Sequence, residues 1–149
     1  MKNISEPTVL AEINSRIDKL NADTPRQWGT MEPAQMLWHC RQQLNLGTGE
    51  LKVKHLVPAP LRWVLKKTLG GRVPFSKGMG TVPGIEANEK VGLNFENEKT
   101  ALKTALSNFV RLPSDAIVKT HPFFGTMNDK DWGQIIYKHL DHHLRQFGV

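Results

Sequence analysis

Two histidines near the end of the chain have the spacing of a helical metal site. His139 and His143 lie four positions apart, and on an α-helix this interval places both imidazoles on one face, about one turn apart. Their ring nitrogens can then bind one metal ion, as paired histidines do in helical zinc sites. His142 lies roughly 100° around the same helix and cannot point to that ion. The pair therefore indicates a metal site, although histidines on a helix are also common at the exposed surface.

A helix over the last stretch of the chain must carry this pair. Asn128 is a favourable N-cap, and Asp129 and Asp131 place negative charge in the first turn. An apolar stripe with helical spacing then includes both histidines; its members are Trp132, Ile136, His139, His143 and Phe147. The stripe predicts that both imidazoles face the interior, where a neutral ring needs partners for its nitrogens.

A zinc-type site needs at least a third ligand. The candidates are His39, His55, His121, His142 and Cys40. His39 ranks first, because it flanks the apolar face of a predicted helix that an antiparallel bundle can bring opposite the last helix. His55 lies in a basic, irregular stretch that is typical of exposed residues, and His121 precedes a proline in a connector, where capping or packing also explains it. Cys40 is more typical of a small core residue.

Four amphipathic segments organise the chain into one domain, residues 1–149. In chain order they span residues 6–20, 30–47, 94–112 and 128–149. Thr30 is the predicted N-cap of the second helix, and Pro113 ends the third. Because the strand signal is weak, these segments predict an all-α protein with the architecture of a four-helix bundle.

A long irregular insertion separates the second and third of these helices. Residues 61–69 are compatible with a brief amphipathic helix, and a loop rich in glycine and proline follows. Between Leu51 and Ile85 there are seven basic residues and no Asp or Glu: Lys52, Lys54, Arg62, Lys66, Lys67, Arg72 and Lys77. This segment predicts either a solvated loop region or a patch that binds an anionic partner.

Composition excludes several functional classes. The single cysteine, Cys40, fits a reducing compartment, and no segment has the roughly 18 apolar residues of a membrane span. We therefore expect a cytoplasmic protein with no membrane partner. We do not expect residues 51–85 to bind nucleic acid, because Trp63 and Phe75 are too few aromatic residues for a stacking platform.

Three segments together resemble a known superfamily. They are Trp28-Gly29 with Met36-Leu37-Trp38-His39, then His121-Pro-Phe-Phe-Gly125, and finally His139-Leu-Asp-His-His143-Leu-Arg-Gln146. From about Trp28 to its end the chain resembles the DinB-like (DinB/YfiT) superfamily, and within it an uncharacterised domain-of-unknown-function branch. The two C-terminal histidines followed by Arg-Gln are the most specific part of the resemblance.

The resemblance implies a four-helix bundle of the up-down-down-up type that binds a divalent metal, zinc or nickel, and can form a homodimer. In such proteins one histidine of the second helix and an i,i+4 pair of the last helix bind the metal, which here are His39, His139 and His143. Characterised relatives include S-transferases and isomerases that use low-molecular-weight thiols. No reaction is implied for the branch itself.

These observations favour a metal-dependent enzyme, either an S-transferase that uses a low-molecular-weight thiol or a hydrolase. The expected pocket residues are His121, Trp132, Ile136, Met36 and Gln43. Gln43 or Tyr137 could orient an imidazole, the basic insertion could bind an anionic thiol, and no separate carboxylate is predicted as a general base. The alternative is a non-catalytic bundle that the metal stabilises or that forms a dimer.

Overall fold

Helices make up most of the structure, a computed structural model that describes residues 1–54, 57–71, 73–88 and 90–149. The helices are α1 (Pro7–Asp18), α2 (Pro33–Thr48), α3 (Ala59–Thr68), α4 (Phe95–Phe109) and α5 (Asp129–Gln146). Two short strands, β1 (Thr120–His121) and β2 (Gly125–Thr126), pair antiparallel, and a single 3-10 turn spans Ser114–Ala116. Within the described ranges, no helix has both the length and the apolar character that a membrane span requires.

Helices occupy each of the four segments in which the periodicity predicts one, but α2 begins later than expected. Its N-cap is Glu32 rather than Thr30, because Pro33 occupies the first turn and the Glu32 backbone N–H donates to Gln35 Oε1 at 2.8 Å. The Thr30 hydroxyl instead contacts Asn88 Oδ1 at 3.0 Å. The start of α2 is therefore set by a capping interaction with a residue inside the helix.

The core forms where α2 packs against α4 and α5, while α1 packs against α5. Leu37 and Leu106 have no exposed surface. Gly47 permits the close approach of α2 and α4, because a Cβ atom at this position would lie 2.8 Å from the Phe109 ring. The Trp132 indole fills the same region and donates from Nε1 to the Val118 carbonyl at 2.5 Å. This packing fixes α2 beside α5, the two helices that carry the candidate ligands.

Within the segment between α2 and α4, polar contacts attach α3, whereas Val82 and Ile85 of the following loop are buried in the core. No residue of α3 is buried, and Trp63 is 61% exposed. Lys66 Nζ lies 2.7 Å from Asp131 Oδ2 of α5, and Lys138 Nζ of α5 donates to the carbonyls of Leu69 and Gly71. These contacts hold the end of α3 and the following loop against α5.

Candidate metal centre

Three imidazole rings converge between α2 and α5. His39 of α2 places its Nε2 atom 3.0 Å from Nε2 of His139, and the centroid of the His143 ring lies 4.8 Å from that of His39 and 4.6 Å from that of His139. One nitrogen from each ring lies within 4.8 Å of the other two. Nitrogens that share one zinc ion lie about 3.3 Å apart in tetrahedral geometry. Small rotations of the rings would therefore complete a site.

Hydrogen bonds fix the proton positions on two of these rings. His39 Nδ1 lies 2.7 Å from the Ile85 carbonyl oxygen, and His143 Nδ1 lies 2.9 Å from Gln146 Oε1. Because both partners accept hydrogen bonds, each Nδ1 carries the proton and each Nε2 keeps a free lone pair. Gln146 is itself oriented, since its Nε2 donates to the Trp28 carbonyl at 2.8 Å. Both rings thus have the tautomer that metal binding through Nε2 requires.

The third ring, His139, is held differently. Its Nδ1 is buried and has no hydrogen-bond partner within the described residues. Its Nε2 faces the lone pair of His39 Nε2, so a metal-free protein satisfies this contact only when His139 keeps its proton on Nε2. A metal ion that accepted both lone pairs would remove this restriction and would fix the one ring that lacks its own hydrogen bond.

Burial keeps all three imidazoles neutral. Desolvation lowers the pKa of His143 to about 3, lowers that of His39, and together with the neighbouring imidazoles moves the pKa of His139 well below its usual range. Neutral imidazoles are the form that binds metals. Cys40 does not belong to this cluster: its thiol is fully buried, contacts Met36 Sδ at 3.7 Å, and has a pKa raised by desolvation.

The three histidines open onto a cavity of about 550 Å³, a size typical of small-molecule sites. Its walls are mainly apolar, and the aromatic and aliphatic side chains that line it include Trp28, Leu65, Phe75, Phe123, Phe124 and Ile135. Among the described residues that line it there is no Lys or Arg, and Glu86 is the single carboxylate. The arrangement therefore combines three imidazole nitrogens that can bind a metal with space for a mainly uncharged molecule.

Comparison with known families places this site in a domain of unknown function. Residues 6–148 match the family described as Protein of unknown function (DUF1569). The chain belongs to this family. No curated protein and no solved structure matches the chain. The three converging histidines thus lie within a DUF1569 domain that covers nearly all of the sequence.

The other residues expected in the pocket of the DUF1569 domain divide into two groups. His121 and Gln43 line the cavity, whereas Trp132, Ile136 and Met36 lie in the helical core and do not line it. Trp132 and Ile136 of α5 and Met36 of α2 instead belong to the hydrophobic core, because an apolar helix face packs mainly against other helices.

Three further predictions of the sequence concern neighbouring side chains. His142 stays outside the ligand group, as its helical position predicts, but it lines the cavity with its ring centroid 5.0 Å from that of His143. Tyr137 does not orient an imidazole, since its ring lies beside Lys2, with the lysine Nζ 5.7 Å from the ring centroid. His55 lies outside the described residues.

Sequence reasoning missed three groups at the DUF1569 site. Gln146 lies three positions after His143, and this helical spacing was a usable signal for the hydrogen bond. The Ile85 carbonyl has no such signal, because a backbone oxygen in an irregular loop is not marked by residue type. Glu86, at the cavity wall, supplies the carboxylate that the sequence did not predict; its Oε2 accepts from the Gly84 N–H at 2.5 Å.

Proposed function

We propose that this DUF1569 protein is a metal-dependent enzyme that binds zinc or nickel through His39, His139 and His143. One observation carries the proposal: three neutral imidazoles, two of them with Nε2 left free by hydrogen bonds at Nδ1, open onto a cavity of about 550 Å³. Structural zinc sites are usually closed by four protein ligands, whereas catalytic sites keep a position open. Three ligands beside a cavity fit the catalytic class better.

The reaction we propose is the transfer of a low-molecular-weight thiol to an electrophile or the hydrolysis of a small substrate. When bound, a divalent metal supplies Lewis acidity and lowers the pKa of a coordinated water or thiol. The chain's own residues do the rest: Ile85 and Gln146 orient two ligands, and Trp28 and Phe75 limit the access of water. Glu86 at the wall can accept a proton from a substrate group.

Two features support the thiol reaction in particular. The sequence resembles the DinB-like superfamily, and that superfamily includes thiol-dependent S-transferases. Lys77, whose Nζ lies 4.5 Å from the centroid of the Trp28 ring, is a cation beside the cavity wall that can bind an acidic group of such a thiol. This positions the charge of an anionic thiol at the edge of the cavity, outside the apolar interior.

We also propose that α1, α2, α4 and α5 form the up-down-down-up bundle of that superfamily. The packing of α2 against α4 and α5, and of α1 against α5, supports this arrangement. A cytoplasmic location rests on the single, buried cysteine, Cys40. A homodimer rests on the resemblance alone. Size-exclusion chromatography with light scattering tests the dimer, and a monomeric mass would reject it.

Metal analysis tests the site. We expect about one zinc or nickel ion per chain in protein purified without added metal, and loss of that metal in His39→Ala and His143→Ala. His142→Ala is the matched control, because His142 lines the same cavity on the same helix but stays outside the ligand group. Full metal content in His39→Ala would reject the assignment of the ligands.

Activity assays test the reaction. Thiol-dependent conjugation of a model electrophile and thiol-independent hydrolysis of an activated ester should be measured on the purified protein, after chelation, and after metal is restored. Activity that is lost on chelation and recovers with metal supports an enzyme, and its dependence on thiol separates the two reactions. A chelated protein that loses thermal stability while neither reaction is detected with any metal would instead support a structural metal.

A further inference from the structure

His121 is held in one tautomer by the hairpin that carries it. The residue lies on β1 opposite Gly125 of β2, and Gly125 has a φ of +67° that favours glycine in this tight connection. Within the turn, the backbone N–H of Phe123 donates to His121 Nδ1 at 3.2 Å. An amide N–H can only donate, so Nδ1 of a neutral ring is the acceptor and Nε2 carries the proton.

The orientation of Gln43 follows from this tautomer. The Gln43 carboxamide nitrogen lies 3.3 Å from His121 Nε2, and two donors cannot bond to each other. A half-turn of the carboxamide exchanges its two nearly identical atoms and places the oxygen where His121 donates. The amide NH₂ then turns away from His121. No other hydrogen bond joins this carboxamide to the part of the chain that the structure describes.

The resulting relay is directional. Phe123 donates to His121, His121 donates to Gln43, and the Gln43 NH₂ is left as a donor. Both side chains are buried and both line the cavity. Gln43 also lies four positions after His39 on α2, so its amide is about one helical turn from the metal-binding ring. A ligand atom held by Gln43 would therefore lie close to the candidate metal centre.

We propose that Gln43, with His121 as its positioning residue, recognises a hydrogen-bond acceptor such as a carbonyl oxygen on a neutral, largely apolar substrate. The surroundings define this class, because aromatic and aliphatic side chains dominate the walls and no Lys or Arg from the described residues lines them. The inference rests on the proposed function in one respect, namely that the bound molecule is a substrate. The hydrogen bond between Gln43 and that molecule needs no metal.

Two isosteric probes test the contact. Acetophenone carries a carbonyl oxygen, and α-methylstyrene has a CH₂ group in its place. We expect the purified protein to bind acetophenone more tightly by roughly two- to tenfold, the value of one neutral hydrogen bond. The dissociation constants can be obtained from NMR titrations that follow the indole N–H signals, since Trp28 lines the cavity. Equal affinity for the two probes would overturn the proposal.

Variants assign the effect to its residues. Gln43→Met should bring the acetophenone affinity down to that of α-methylstyrene and leave α-methylstyrene unchanged. His121→Phe should reduce the preference for acetophenone over α-methylstyrene, because Gln43 is then free to turn. If His121 had only a structural role, its loss would weaken the binding of both probes. Gln42→Met is the matched control, because Gln42 is the adjacent glutamine of α2 and does not line the cavity. A full preference in Gln43→Met would reject the role of Gln43.

A charged pair of probes tests the neutral class, and metal analysis separates this inference from the proposed function. Methyl 4-acetylbenzoate should bind more tightly than 4-acetylbenzoate, and the reverse order would reject a neutral substrate. The titrations are repeated after chelation, with metal content measured in every sample. A preference for acetophenone that survives in protein without metal supports the inference even if the metal site fails, whereas normal metal content with no preference rejects the inference alone.

Discussion

Two regions of the molecule meet at the cavity, and different interactions hold them in place. The helices that carry the candidate ligands, α2 and α5, are fixed by buried apolar contacts, in which Leu37 and Leu44 have 0% and 1% of their surface exposed. The segment between α2 and α4 is held in two ways: α3 has no buried residue and its end is attached by polar contacts of Lys66 and Lys138, whereas Val82 and Ile85 of the following loop are buried in the core. Apolar burial over whole helix faces is the stronger constraint, because it sums many contacts.

The two regions contribute different parts of the site, namely the imidazoles and part of the cavity wall. The imidazoles need fixed positions, and they lie on the rigid helices. The wall that would contact the remainder of a substrate comes partly from the segment between α2 and α4, through Leu65, Phe75 and Val82. The segment also contacts the candidate metal centre, since the Ile85 carbonyl accepts a hydrogen bond from His39. Changes in the insertion can therefore alter both the cavity wall and the hydrogen bond that orients His39.

The largest expected effect comes from matched leucine substitutions in the two regions. Leu106 in α4 is fully buried and Leu61 in α3 is 50% exposed. Leu106→Ala should lower the free energy of unfolding by about 2–5 kcal/mol, and Leu61→Ala should change it by less than about 0.5 kcal/mol. Urea denaturation followed by circular dichroism measures both. Similar losses would show that α3 is as firmly packed as the helical core.

The second prediction concerns the hydrogen bond at His143. Gln146→Leu removes the acceptor for His143 Nδ1 and the donor to the Trp28 carbonyl. We expect metal affinity to fall about 10- to 100-fold while the helix stays folded, because the ring loses its fixed orientation. Competition with a chelator of known affinity measures the change. Gln134→Leu, also on α5 but outside the cavity lining, should bind metal as the wild type does.

The third prediction uses the buried titratable group of the hairpin. Desolvation lowers the pKa of His121 from 6.5 to about 3 in the folded state. Between these values the unfolded chain binds more protons, so the free energy of unfolding falls as the pH drops below 6.5, by up to about 1.4 kcal/mol per pH unit for this group. Above pH 6.5 the group has no effect.

His121→Phe should therefore flatten the pH dependence of unfolding between pH 6.5 and pH 3 relative to the wild type. Denaturant titrations of chelated protein at several pH values measure the slope. Parallel curves for the two proteins would show that His121 is protonated as easily in the folded protein as in the unfolded chain.

The smallest effect is expected from the contacts that hold the insertion. Lys138→Met keeps the apolar stem but removes the donor to the carbonyls of Leu69 and Gly71. Global stability should change by about 1 kcal/mol or less, while hydrogen exchange at residues 69–71 should become faster. Lys130→Met, at an exposed position of α5, is the control. Unchanged exchange would show that other contacts hold this segment.

Much of the architecture follows from local patterns in the chain. The apolar periodicity of α5, together with the N-cap Asn128, locates the last helix to within a few residues and places His139 and His143 one turn apart. The same reasoning ranked His39 first among five candidate partners, and the structure brings it to the pair. The predicted N-cap of α2, Thr30, is wrong by two residues. Glu32 caps the helix instead, because its capping interaction with Gln35 outweighs the preference of threonine for the N-cap position.

The sequence by itself determined the helices and the faces on which their histidines lie, because helical geometry relates residues three and four positions apart. Only the tertiary structure decided what surrounds those histidines. The contact of Gln43 with His121 joins residues 78 positions apart, and that of His39 with the Ile85 carbonyl joins residues 46 positions apart. No periodic pattern relates such distant positions, since the path of the loops between them sets their approach. The spacing of residues within each helix thus predicts the candidate ligands, whereas the cavity around them depends on the tertiary structure.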